Sequence, residues 1–189
     1  MGLLQKERAT PDTPGTGYSV LYPKANGRWY FKDDEGVEHA MGPIIRRKTE
    51  DEPVTSSTTL QDDDHLVFPI GANEEWVADY SISVGGSITT SGLKVVITSP
   101  ATAIDVSATL VGSVFGECKS GHIVSAVSPI EFTAAEFVSS GTGHLHISAW
   151  FLNGATPGSV TLRFAQETSS GTAIVFLKGS RMVAHQIIP

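Results

Sequence analysis

The sequence predicts an all-β protein: an antiparallel β-sandwich of jelly-roll type, preceded by a small N-terminal β-hairpin or meander. Three observations predict it. Only 17% of the 189 residues are charged while 40% are hydrophobic, and the rest is rich in Ser, Thr and Gly, a balance that favours strands over helices. Beyond Leu60, apolar segments follow one another with turn signals such as Gly85-Gly86, Asn153-Gly154 and Pro157-Gly158 between them, the pattern of a sandwich or jelly roll. Trp76, Ala78, Tyr80, Ile82 and Val84 alternate with polar residues, so they share one face of a core strand.

In chain order, residues 10–17 hold Pro11, Pro14, Gly15 and Gly17 and read as an irregular tether. Residues 18–22, 28–32 and 37–41 are strand candidates, separated by glycine-containing turns at 24–27 and 33–36. Such a meander is too small to be stable alone, so Trp29, Tyr30 and Phe31 need a partner surface or a second copy. Residues 1–53 carry eight of the 13 basic residues, and the remainder of the chain only five. That shift, with Pro53 and the polar tract 55–59, sets a boundary: residues 1–53 form an attachment region and 54–189 the sandwich. Within the sandwich, strands are expected at 66–70, 75–84, 93–98, 106–111, 130–132, 144–152, 160–166, 173–177 and 182–188, with one helical turn at 133–138. On the 160–166 strand, Val160, Leu162 and Phe164 face the core. Thr161, Arg163 and Ala165 face away, which makes Arg163 the candidate for an assembly contact.

Several function classes are excluded. A net charge of -7 without a basic cluster argues against nucleic acid, whose affinity comes from clustered Lys and Arg releasing counterions. No apolar run is long enough to span a membrane, and the N-terminus lacks the apolar core of a signal peptide. Cys118 stands alone, so no internal disulfide is possible, and it reads as a small strand-end residue. Phosphate-loop, zinc-protease, nucleophile-elbow and paired-cysteine motifs do not occur, so neither an enzyme nor a cofactor is expected.

Four groups of residues could carry chemistry. Asp62, Asp63, Asp64 and His65 offer oxygens to a hard cation, but without the interleaved spacing and glycine of a calcium loop they read as a solvated turn before the strand at Leu66. His144 and His146, two apart on a strand, place two imidazoles on one face and could share a metal, above all if three copies met along this strand. The bland alternative is a pair of exposed strand histidines, and His122 and His185 read the same way. Trp76, Trp150 and the Trp29–Tyr30 pair could stack on sugars; Trp76 and Trp150 lie in the strongest strand patterns and are expected in the core, Trp29 against a neighbouring subunit. Asp79, Glu131 and Glu136 are the acidic side chains from which a glycosidase pair would have to be drawn, and spacing alone does not bring two of them together.

Residues 60–76, with residues 160–170 and 179–184, resemble a β-rich module of virion structural proteins of tailed bacteriophages: fibres, head fibres and neck or tail accessory proteins. Residues 17–22 and 27–36 are similar to short hairpin repeats of phage fibre proteins. The resemblance implies a non-enzymatic virion component, a homotrimer anchored to capsid, neck or tail proteins through its N-terminal region. It transfers no catalytic residue. Two further functions stay open: a head that binds a host surface glycan or receptor, and a capsid decoration protein.

Overall fold

The computed structural model describes residue 6 and residues 9–25, 28–86, 88–100, 103–111, 119–123, 129–134 and 142–187. The chain divides into two compact units, residues 1–43 with 188–189, and residues 44–187. The second unit thus begins nine residues ahead of Pro53, because the segments at 44–47 and 52–54 are strands of its own sheet. Among the described residues, no helix is long and apolar enough to cross a membrane.

The first unit is the expected meander, β1 (Val20–Pro23), β2 (Trp29–Lys32) and β3 (Glu38–Ala40), paired antiparallel in that order. The β2–β3 turn closes with Gly36 at φ +87°, a conformation glycine adopts without steric cost. There the Asp33 carboxylate accepts the Val37 N–H at 2.7 Å and lies 2.8 Å from the His39 ring. Residues 9–17 form no strand, yet they are held to the meander: Lys32 Nζ donates to the Pro11 carbonyl and the Gly17 N–H to Asp34. Among the described residues of this unit, Tyr22 is the only large apolar or aromatic side chain that is fully buried, with its hydroxyl bonded to Glu38. The register puts Leu21, Phe31 and His39 in one cross-strand row on the other face, where Leu21, Trp29 and Met41 are exposed.

The second unit holds β4 (Ile44–Arg47), β5 (Glu52–Val54), β6 (Gln61–Ile70), β7 (Glu75–Gly86), the single turn α1 (Ile88–Ser91), β8 (Leu93–Thr98), β9 (Ala103–Val111), β10 (Lys119–Ile123), β11 (Ile130–Phe132), β12 (Gly143–Leu152), β13 (Gly158–Ala165), β14 (Ile174–Phe176) and β15 (Arg181–Ile187). Strands β6 to β13 pair like the two legs of one long hairpin: β9 with β10 at the tip, then β8 with β11, β7 with β12, and β6 with β13. Folding that ribbon over gives two four-strand layers, in the order β10-β9-β12-β7 and β11-β8-β13-β6. This interleaving is the strand order of an eight-stranded jelly roll. Sheet one then grows past β7, whose free edge pairs with β15 over residues 75–81 and with β14 over 84–86; β4 and β5 lie outside these. Pro53 is tolerated because β5 is an edge strand and needs no second set of hydrogen bonds. At the β7–β14 approach, a side chain on Gly86 would meet the Ala173 carbonyl at 2.2 Å, so only glycine fits.

The core lies between the layers. Trp76, Ala78, Tyr80, Ile82 and Val84 point inward from β7 and Val160, Leu162 and Phe164 from β13, as their alternation predicts. Phe68 packs between Trp76 and Phe151, and Phe164 stacks on Phe176 at 3.8 Å between centroids. Each such burial contributes roughly 1.5–3 kcal/mol relative to exposure. The predicted helical turn at 133–138 lies outside the described residues after Ala134, as does Cys118.

Candidate functional site

Strand β12 is central in sheet one, and its two faces differ in chemistry. Leu145, Ile147, Ala149 and Phe151 fill the core; His144, His146, Ser148, Trp150 and Leu152 line the outer surface. Trp150 is therefore not a core residue, contrary to the expectation from its strand pattern, because it falls on the parity of the two histidines. Trp76, one strand over and on the opposite parity, is buried as expected.

Cross-strand rows define what surrounds Trp150. Ser148 stands between Asp79 of β7 and Ser107 of β9, and Trp150 between Val77 and Asp105. The two serines are small, so the row beside the indole is low and a trough opens against it. It measures about 430 Å³ and is walled by Trp150 and Val77, floored by Ser148 and Ser107, and flanked by Asp79 and Asp105. That volume lies in the range of roughly 300–1,000 Å³ typical of ligand pockets. The indole is fixed from behind, its N–H donating to Glu75 at 2.6 Å. An aromatic wall beside hydroxyl and carboxylate groups offers stacking to an apolar ring face and acceptors to its hydroxyls.

The histidines share this face but not one ligand sphere. His144 Nδ1 lies 3.4 Å from Ser83 Oγ, while His146 Nε2 lies 3.4 Å from Ser148 Oγ and 3.9 Å from an Asp79 oxygen. Ser148 donates to Asp79 at 2.5 Å. Serine, histidine and aspartate are thus adjacent in an order that activates no nucleophile, since the hydroxyl proton goes to the carboxylate rather than the imidazole. Of the carboxylates considered for a glycosidase pair, Asp79 lies on the outer face of sheet one and Glu131 on that of sheet two, so they cannot cooperate. Glu136 lies outside the described residues.

No family model matches the chain, and no curated protein matches it significantly. Among solved structures, it aligns with a chain in the structure of infectious bursal disease virus Gx strain at 12% identity and TM-score 0.20, covering 85% of this chain and 48% of that one. The crystal structure of the infectious bursal disease virus VP2 subviral particle gives 12% identity and TM-score 0.19, covering 81% and 44%. The chain spans about half the length of these proteins. Likeness at that level assigns neither fold nor function.

A second polar cluster is buried, and the sequence reading missed it. The acidic run is not a solvated turn: β6 already starts at Gln61, and its register against β13 jumps between Thr161 and Arg163, leaving a bulge on β6. The bulge turns Asp63 inward, where its Oδ1 accepts the N–H groups of His65 (2.9 Å) and Leu66 (2.8 Å). Its Oδ2 accepts from Lys48 Nζ at 2.7 Å, and the same ammonium donates to Glu52 Oε2 at 2.5 Å. The side chains of Lys48 and Asp63 are both 0% exposed. Glu52 is oriented by Gln61, which donates to its Oε1 at 2.9 Å. Backbone bonds to Ser180 and Gly179 fix Lys48 itself. Glu52, Asp63 and His65 are spaced closely enough to hold a metal, but Lys48 Nζ already binds both carboxylates and His65 turns its Nε2 to Thr49. Nearby, burial and then the Asp63 charge push the Tyr80 hydroxyl well above the usual tyrosine range, and it has no hydrogen-bond partner.

The remaining predicted contact residues divide. Trp29 is exposed, and Tyr30 is half-buried beneath the Lys24 ammonium, 4.4 Å from its ring centroid. Arg163 is occupied internally: it pairs with Asp62 at 2.6 Å and donates to the Leu60 carbonyl, bracing the bulge. Ala165, expected to face outward with it, is buried.

Proposed function

We propose that this chain is a non-enzymatic structural component of a virus particle, of the tailed-phage type that its sequence resembles, acting as a homotrimer anchored through its N-terminal unit. The observation that carries the reading is the contrast within that unit: among its described residues one fully buried large apolar or aromatic side chain, Tyr22, and an opposite sheet face on which Leu21, Trp29 and Met41 are exposed. A unit with so little interior needs another surface. The jelly roll supports the reading as a fold used by capsid proteins, which is an analogy of architecture, since one fold serves many functions. Light scattering of the purified chain at micromolar concentration should give three times the chain mass, and Trp29→Glu should release the protein from purified particles. A monomer under those conditions overturns the trimer, and particles lacking the protein overturn the virion role.

The Trp150 trough favours a second reading, a head that binds a neutral glycan. Binding on a glycan array that Trp150→Ala removes, with folding unchanged, would establish it; an array without signal would leave the structural role alone.

A further inference from the structure

We propose that Lys48 and Asp63 condense spontaneously to an intramolecular isopeptide bond, with Glu52 carrying the protons. The inference goes beyond the particle role and does not depend on it. The groups that an amide condensation needs are already in place. The nucleophile, Lys48 Nζ, is held 2.7 Å from Oδ2 of the Asp63 carboxyl whose carbon it must attack, so the two reacting groups are already in contact and need no encounter. Asp63 Oδ1, on which charge grows in the tetrahedral intermediate, faces two backbone N–H donors, those of His65 and Leu66. Glu52 Oε2 sits 2.5 Å from the same Nζ as a proton acceptor, and Gln61 fixes its orientation. Neither Lys48 nor Asp63 reaches solvent, so water cannot compete for the intermediate or reverse the product.

The step balances without any co-reactant. Lys48 passes one proton to Glu52, and the freed nitrogen lone pair attacks Asp63 Cγ. Glu52 delivers that proton to Oδ2, a second proton leaves nitrogen by the same route, and the Cγ–Oδ2 bond breaks to release water. One positive and one negative buried charge disappear, Glu52 returns to carboxylate, and the new amide keeps its oxygen on the His65 and Leu66 N–H groups. Burying unlike charges together is seldom rewarded in stability, whereas a neutral amide in the same place carries no such cost. The bond would join the loop after β4, on sheet one, to β6, on sheet two.

Intact-mass measurement of the purified full chain under denaturing conditions tests this. The expected mass is one water below that of the sequence, after allowing for removal of Met1. Trypsin should fail to cut after Lys48 and leave a looped peptide of residues 48–94. Lys48→Arg should restore the full mass, which separates the linkage from dehydration of Asp63 alone. Asp63→Asn should reach the same final mass as the linked protein by losing ammonia instead of water. Glu52→Gln, nearly isosteric, should fold and slow linkage by about 100-fold or more. A folded wild-type chain at full sequence mass, cut normally after Lys48, overturns the proposal; linkage in Glu52→Gln at the wild-type rate overturns the role of Glu52.

Discussion

Two polar clusters in the jelly-roll unit have similar hydrogen-bond lengths and opposite surroundings. Lys48, Glu52 and Asp63 meet at 2.5 and 2.7 Å in the interior, whereas Ser148 meets Asp79 at 2.5 Å with His146 beside them, on a surface where the imidazole and carboxylate are 57% and 56% exposed. Distance alone therefore says little about energy. Water around Asp79 replaces any lost partner, so that cluster is adjustable and suited to meeting a ligand. No water replaces a partner lost from Asp63, so the interior cluster is either complete or costly.

The largest effect should come from breaking the buried cluster. Lys48→Met removes the cation, and with it any linkage to Asp63, from two carboxylates and should cost at least about 3–5 kcal/mol in denaturant unfolding, while Asp79→Asn on the surface should stay within about 0.5 kcal/mol. If both changes cost the same, the contrast is wrong. The two tryptophans provide the apolar counterpart. Trp76→Ala should cost about 3–5 kcal/mol, as core truncations do, and Trp150→Ala about 1 kcal/mol, mostly its bond to Glu75.

The smallest effect concerns the half-buried Asp33 in the meander. Hydrogen bonding from His39, then from the Val37 N–H, together with the His39 charge, holds its carboxyl below 3.8, and partial desolvation opposes them only in part. A carboxyl lowered on folding stabilises the folded form above its unfolded value and loses that contribution as pH falls through the folded value. Protection of the Val37 amide should hold from neutral pH to below pH 3.8 and then fade, and Asp33→Asn should remove that acid transition. A loss of protection near neutral pH would show that Asp33 is not its anchor.

Much of the fold was legible because a half-buried strand alternates with period two. The 76–84 and 160–164 patterns gave core residues directly. Strands whose pairing replaces patterning were not legible: β4 is two isoleucines and two arginines, β5 contains Pro53, and β10 has no alternation. Period two also identifies a strand without saying which parity is inside. On β12 both parities carry large apolar residues, Phe151 on one and Trp150 with Leu152 on the other. The usable signal was polar: His144, His146 and Ser148 mark the outer parity, and Trp150 shares it. Asp63 looks solvated in the sequence because a bulge shifts the inward positions from a spacing of two to a spacing of three, Asp63 to Leu66, and three consecutive aspartates conceal that shift.

The ribbon topology also bears on the order in which the unit closes and opens. Pairing at the β9–β10 tip spans the fewest residues, and each later pair spans more, so the entropic cost of closure rises step by step to β6–β13. That last pair is then the slowest to form and the first free to part. Asp62 and Arg163 brace it, and Asp63 sits within it. A covalent tie from Lys48 to β6 would lie beside this open end without crossing the β6–β13 pair: it would hold β6 to the end of β4, so that β6 could not peel away without drawing β4 from β15, which would do little for the rate of folding and lengthen the lifetime of the folded state.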